Sequence, residues 1–113
     1  MIKRNFVGLL LCIQSSLGWA LTCIPKTEAL CNEGICKEAR SDPPSWTVIE
    51  KGKLSRCDPR GCDSYDPKMY PSGTYTNFSL PERGYLLKVD AEGNYVEVVT
   101  FGLMVRYKTG RCS

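Results

Sequence analysis

The C-terminal part of the chain contains the segment Arg83-Gly84-Tyr85-Leu86-Leu87-Lys88-Val89-Asp90-Ala91-Glu92-Gly93-Asn94-Tyr95-Val96-Glu97-Val98-Val99-Thr100-Phe101. Two runs rich in Val, Leu and Tyr flank residues 90–94, whose composition favours a turn. This order predicts a β-hairpin. Because side chains alternate along a strand, we expect Tyr85, Leu87 and Val89 to share one face of the hairpin.

The run that follows the hairpin continues the β pattern. Gly102 interrupts it, and a lone glycine inside a strand pattern predicts a bulge or a sharp bend. Beyond it, residues 103–108 predict a further strand with two alternating faces. The face expected to point inward carries Leu103, Val105 and Tyr107, and the face expected to point outward carries Met104, Arg106 and Lys108.

The rest of the chain has Pro and Gly every few residues, with short runs rich in Val, Tyr, Thr and Phe between them. We expect strands over residues 46–50, 53–57, 73–80, 84–89, 95–101 and 103–108. Two segments that contain prolines, residues 41–45 and 65–72, are expected to be loops. The sequence therefore predicts an all-β fold, a small disulfide-stapled antiparallel meander of barrel-like or clam-like shape.

The start of the chain has the order of a secretory signal peptide. Residues 1–5 include two basic residues, Lys3 and Arg4, and an apolar run and small residues ending at Ala20 follow. We expect residues 1–20 to be a signal peptide and residues 21–113 to form one domain. Cys12 lies in the expected leader. Since exported proteins meet an oxidising compartment, the other six cysteines are expected to form disulfides.

The cysteine spacing predicts two short bridges. Four residues separate Cys57 from Cys62, and the intervening Asp58-Pro59-Arg60-Gly61 suits a type I turn. A hairpin of this length places its flanking cysteines opposite each other, within reach of a disulfide. The same spacing between Cys31 and Cys36 predicts a second bridge of this kind.

The remaining cysteines, Cys23 and Cys112, lie near the two ends of the expected domain. A bridge between them completes three disulfides and leaves no thiol for a metal or another cofactor. The alternative is a zinc site whose four thiolate ligands come from the two closely spaced pairs. The absence of His and the oxidising compartment disfavour this alternative.

The residue types present exclude several kinds of catalysis. The chain contains no His, which removes the Ser-His-Asp and Cys-His systems. Asp58, Asp63 and Asp66 lie close together in sequence, but Asp58 and Asp66 precede prolines and are explained by turns. A carboxylate-based hydrolase that depends on Asp63 is therefore the least favoured activity.

Charge and hydropathy restrict the partners. Lys and Arg number 15 against 12 Asp and Glu, and loss of the expected leader would nearly balance them. The charges are scattered singly, which argues against a nucleic-acid partner. Outside the leader no apolar run approaches the roughly 20 residues of a membrane span. An extracytoplasmic protein is the expected kind of partner.

Tyr is abundant, and residues 65–72 carry Tyr65, Lys68 and Tyr70. A long loop cannot be wholly buried, and Tyr is enriched at interfaces, so these three residues are the predicted binding contacts. The favoured function is a non-enzymatic binding module, either an inhibitor or a cell-envelope partner. The alternative is a structural role in the envelope.

Three runs carry a resemblance to known sequences: residues 54–65, 72–77 and 110–112. Together they resemble a family of small exported alphaproteobacterial proteins that have no assigned activity. The resemblance implies a periplasmic or secreted location and no mechanism. In size and β content the chain is also similar to small periplasmic lysozyme inhibitors, a likeness of architecture alone.

Overall fold

One antiparallel sheet holds the ten strands of residues 20–113, the part of the chain that the computed structural model describes. The strands are β1 (Ala20–Asn32), β2 (Ile35–Glu38), β3 (Trp46–Glu50), β4 (Lys53–Asp58), β5 (Gly61–Tyr65), β6 (Lys68–Ser72), β7 (Tyr75–Leu80), β8 (Tyr85–Val89), β9 (Asn94–Phe101) and β10 (Met104–Cys112). The one helical element among these residues is a 3-10 turn at Pro81–Arg83. The all-β prediction is confirmed.

The expected signal peptide falls on residues 1–19, which lie outside the described residues, and on Ala20, the first residue of β1. In the described part of the chain no helix has the length and apolarity that a membrane crossing requires.

The strands follow the order β5-β4-β3-β1-β10-β9-β8-β7-β6. β1 is the longest strand and joins the two halves of the sheet. One of its edges pairs with β10, while β3 and β2 share the other edge. The two outermost strands, β5 and β6, are consecutive in the chain and are joined by Asp66 and Pro67. The sheet curls into a half-barrel whose open side lies between β5 and β6.

The concave side of the sheet contains the core. It is formed by alternate residues of successive strands, as the period of two requires. Its buried members are Cys23, Ile49, Leu54, Phe78, Leu80, Tyr85, Leu87, Val89, Tyr95, Val99 and Cys112. The expected shared face of β8 is therefore confirmed, since Tyr85, Leu87 and Val89 are all buried.

All three disulfides join residues that lie directly opposite each other on paired strands. Cys23 bonds to Cys112 between β1 and β10, Cys31 to Cys36 between β1 and β2, and Cys57 to Cys62 between β4 and β5. The predicted pairing is confirmed. The four sulfurs that a zinc site would have used are bonded in two pairs.

The expected loop over residues 65–72 is wrong. Tyr65 ends β5, two residues follow, and Lys68–Ser72 form β6. Pro71 is compatible with this strand because β6 pairs only with β7 and leaves its other edge open, where a missing N–H costs no ladder hydrogen bond. Local patterns also failed to indicate β1, which pairs with the distant strands β10 and β3. They did not give the bounds of β2 and β5, which pair with the preceding strands β1 and β4.

The predicted orientation of the last strand is wrong as well. Gly102 and Leu103 form a tight turn, so Phe101 pairs with Met104 and β10 runs back along β9. Lys108 then lies opposite the buried Glu97 and is itself only 4% exposed, whereas Leu103 is 83% exposed. Val105 and Tyr107, which were expected in the core, lie on the convex side because they alternate with Arg106 and Lys108, which pair with inward-facing residues of β9.

Candidate functional site

The convex side of the sheet carries two rows of side chains, each of which crosses six strands. Residues opposite each other on paired strands share a face, so the pairing register defines each row. The first row is Lys68, Ser79, Leu86, Val98, Tyr107 and Ala29, and the second is Tyr70, Asn77, Lys88, Val96, Thr109 and Thr27. We call the apolar, aromatic and basic members of these rows the outer patch: Lys68, Tyr70, Leu86, Lys88, Val96, Val98 and Tyr107.

The outer patch combines exposed apolar surface with positive charge. Tyr70 is 46% exposed, Val96 42% and Tyr107 36%. Between β6 and β1 the two rows contain no Asp or Glu, and Glu38 of β2 lies beyond Ala29 at the far end of the first row. No ion pair found among residues 20–113 involves Lys68 or Lys88. The Lys88 ammonium instead lies 5.3 Å from the centre of the Tyr75 ring. The positive charges of this patch are therefore not neutralised within the described chain.

Two of the three predicted binding residues belong to this patch. Lys68 and Tyr70 alternate along β6 on its convex face, and both are exposed. Tyr65 is elsewhere: it pairs with Leu54 on the concave side, is half-buried, and lies 4.4 Å below the guanidinium of Arg83. The structure thus brings Lys68 and Tyr70 together and separates Tyr65 from them.

A second group of polar residues lies inside the half-barrel, which is unusual for charged side chains. Glu97 is 2% exposed and its Oε2 accepts hydrogen bonds from the hydroxyl of Thr47, at 2.8 Å, and from that of Tyr85. Lys108 faces the other oxygen, with Nζ 4.0 Å from Oε1. We call Glu28, Thr47, Tyr85, Glu97 and Lys108 the interior polar cluster.

The interior polar cluster also anchors the loop between β2 and β3. Glu28 Oε1 accepts hydrogen bonds from the amide and hydroxyl of Ser41, at 2.9 and 2.8 Å. Lys108 Nζ donates to Ser45 Oγ at 2.6 Å, and Arg106 Nη1 donates to the Ala39 carbonyl at 3.1 Å. The ends of this loop are therefore tied to β1 and β10 by charged side chains.

Burial and neighbouring charge alter the acidities in the cluster. Burial, the charge of Glu97 and the hydrogen bond to it raise the pKa of Tyr85. Burial lowers the pKa of Lys108 more than the charges of Glu97 and Glu28 raise it. Burial also raises the pKa of Glu28, but the hydrogen bonds from Ser41 and nearby positive charges outweigh it and hold that pKa below its usual value.

The carboxylates of Glu28 and Glu97 therefore serve as fixed hydrogen-bond acceptors. Asp63, the residue that a hydrolase would have needed, is exposed on β5 opposite Arg56. Among the described residues no group of three His, Cys, Asp or Glu side chains could hold a metal ion.

Sequence reasoning missed the interior polar cluster, although one signal was present. Alternation along residues 94–101 places Glu97 on the same face as Tyr95 and Val99, both apolar. A glutamate in the middle of such a face needs buried partners. The partners Thr47 and Lys108 could not be found from their own patterns.

No protein-family model, curated protein or solved structure matches this chain.

Proposed function

We propose that the protein is a non-enzymatic binding module that uses the outer patch to bind an acidic surface of an extracytoplasmic protein. The observation that carries this proposal is the combination of exposed Tyr70, Val96 and Tyr107 with the unneutralised Lys68 and Lys88. Tyrosine and apolar groups supply contact area, and charge complementarity supplies the choice of partner.

The scaffold favours such a role. The patch lies on consecutive hydrogen-bonded strands, so its side chains are held in place before a partner arrives. A rigid surface loses little conformational entropy on binding. The non-enzymatic part of the proposal is supported by the absence of His and by the carboxylates already engaged by hydroxyl and amide donors.

The proposal includes a periplasmic or secreted location, with residues 1–20 as the signal peptide. Three disulfides are typical of proteins from oxidising compartments. A mass measurement on the protein recovered from periplasm or medium tests this: loss of residues 1–20 is expected, and their retention would contradict it.

Site-specific photo-crosslinking in cells that naturally make the protein tests the binding surface. A photoreactive amino acid replaces Val96 at the centre of the outer patch or, as a control, Ser64, exposed on edge strand β5. We expect one discrete protein adduct from position 96 and none from position 64. Lys88→Glu should abolish the adduct because it reverses the charge, while Lys51→Glu in the turn after β3 should not.

Several outcomes would contradict the proposal. Equal adducts from both positions, an adduct that survives Lys88→Glu, or an adduct with lipid would exclude a charge-selected protein partner at this patch. Absence of any adduct would favour the structural role in the envelope. Hydrolysis of an envelope substrate that Asp63→Asn abolishes would instead support an enzyme.

A further inference from the structure

A cavity of about 360 Å³ opens at the end of the half-barrel, on the side opposite to the outer patch in the sheet. The β2–β3 loop forms one wall, and strands β4, β9 and β10 form the others. Three cationic side chains line it, Arg56, Arg106 and Lys108. We call this space the mouth cavity.

Lys108 has more hydrogen-bond donors than its surroundings use. An ammonium carries three N–H groups. In the described chain one of them bonds to Ser45, while Glu97 Oε1, at 4.0 Å, is beyond hydrogen-bond distance. Lys108 is only 4% exposed. Buried donors without acceptors are costly, so an acceptor that enters the cavity would be stabilised by this ammonium.

Arg56 adds further donors to the same cavity. Its guanidinium lies 5.4 Å from the centre of the Tyr85 ring, which orients the flat group without using its N–H bonds. Among residues 20–113 we find no hydrogen bond that this guanidinium donates. A planar fork of this kind matches the two oxygens of a carboxylate or a phosphate.

Three of the four carboxylates near the cavity already accept hydrogen bonds. Glu28 accepts from Ser41, and Glu97 accepts from Thr47 and Tyr85. Asp58, at the rim, accepts from the amide and the guanidinium of Arg60, at 2.8 and 3.1 Å. Asp42, an exposed residue of the β2–β3 loop, is the remaining carboxylate of the lining. The three cations thus outnumber the two acids that line the cavity, Asp42 and Asp58.

We propose that the mouth cavity is a binding site for an oxyanion, held by Lys108, Arg56 and Arg106. The shared chemistry is a group with two or more anionic oxygens. It can come from a free inorganic anion or from a carboxylate on a larger molecule. This site differs from the outer patch, and neither proposal depends on the other.

Calorimetry and NMR of the purified exported protein test the site, with sodium phosphate, sodium sulfate and sodium acetate as probes. Each titration is made at constant ionic strength with chloride as the balancing anion, because screening alone alters surface charges. We expect one saturable site with a dissociation constant on the order of 1 mM. The Nε–H signals of Arg56 and Arg106 should shift with the same midpoint.

Variants then locate the site. Arg56→Gln and Arg106→Gln should each weaken binding by about tenfold, since each removes a charge-assisted contact. Arg83→Gln is the matched control, because Arg83 lies on the Tyr65 ring and does not line the cavity. Lys108→Gln should abolish binding, and the two arginine variants keep the test valid if that variant fails to fold.

The outcomes separate the possible sources. Tighter binding of phosphate and sulfate would support a free inorganic anion, and tighter binding of acetate would support a carboxylate. The absence of saturable binding by all three probes would overturn the proposal. Equal weakening by Arg83→Gln and Arg56→Gln would also overturn it, because the anion would then bind the surface as a whole.

Discussion

Lys108 and Glu97 face each other inside the half-barrel, with Nζ 4.0 Å from Oε1, and both residues are buried. They are direct neighbours in the β9–β10 register. The pair lies beside the Tyr85 and Thr47 hydroxyls, which hold the other carboxylate oxygen. Removing one partner of a buried ion pair costs more stability than replacing both, because the remaining charge is left uncompensated.

Lys108→Met should therefore destabilise the protein by about 3–5 kcal/mol, because it leaves the Glu97 carboxylate uncompensated. Adding Glu97→Gln should recover about 1–2 kcal/mol, since the amide oxygen still accepts from Tyr85 and carries no charge. Denaturant unfolding measures both values. Lys51→Met, at an exposed turn, is the control and should stay within about 0.5 kcal/mol. A single variant as stable as that control would show that the pair contributes nothing.

Stability should fall at acid pH in a way that depends on Glu28. Its pKa lies below the ordinary value of 4.5 in the folded protein, so the folded state binds fewer protons than the unfolded state near that value. This contribution is complete above about pH 4.5 and is lost as the pH falls through the folded-state pKa. Glu28→Gln should reduce the slope of unfolding free energy against pH in this window. A slope that Glu28→Gln leaves unchanged would contradict the assignment.

The long disulfide should contribute more to stability than either short one, Cys31–Cys36 or Cys57–Cys62, each of which spans 5 residues. Cys23–Cys112 spans 89 residues and Cys31–Cys36 spans 5. Loop-closure entropy gives about 4–5 kcal/mol for the first and about 2 kcal/mol for the second. Replacing each pair by Ala and comparing unfolding midpoints checks this order. A larger loss from the Cys31 and Cys36 replacement would show that local packing, and not chain entropy, dominates.

Gly110 should tolerate no side chain. It lies in β10 against the bulge of β1, where an added Cβ would overlap the Ile24 carbonyl oxygen and lie 3.0 Å from the Lys26 nitrogen. Both neighbours are backbone atoms, so Gly110→Ala should cost about 3 kcal/mol. Gly102→Ala is the control: its surroundings are open, and only the positive φ of 61° opposes it, at about 1 kcal/mol. Equal thermal unfolding midpoints for the two variants would argue against the close approach of Gly110 to the Ile24 carbonyl.

The hairpins and the two short disulfides were the parts of the fold that local sequence could predict. Turn residues between two β runs bring neighbouring segments together, so β8 and β9 followed from residues 83–101 alone. Asp58-Pro59-Arg60-Gly61 likewise predicted that Cys57 and Cys62 oppose each other, as they do. β1 was not predicted, because its partner β10 lies about 80 residues away in the chain.

The candidate sites, like the fold, could be predicted only in part from local sequence. Lys68 and Tyr70 were selected for an exposed loop, yet their exposure comes from β6 being an edge strand with an uncovered convex face. Lys108 was expected in solvent because its neighbours Val105 and Tyr107 are apolar. Lys108 is instead buried, because it pairs with the inward-facing Glu97 of β9 and directly paired residues share a face.

By itself, the sequence determined the all-β class, the pairing of the cysteines and the hairpin over residues 83–101, because each depends on contacts between residues close together in the chain or on the chemistry of thiols. Only the tertiary structure decided which face of each strand is buried. Which face is buried depends on the register between distant strands and on whether a second layer covers the sheet. Hydrophobic alternation alone cannot distinguish a covered face from an exposed one. The outer patch and the interior polar cluster both result from that choice.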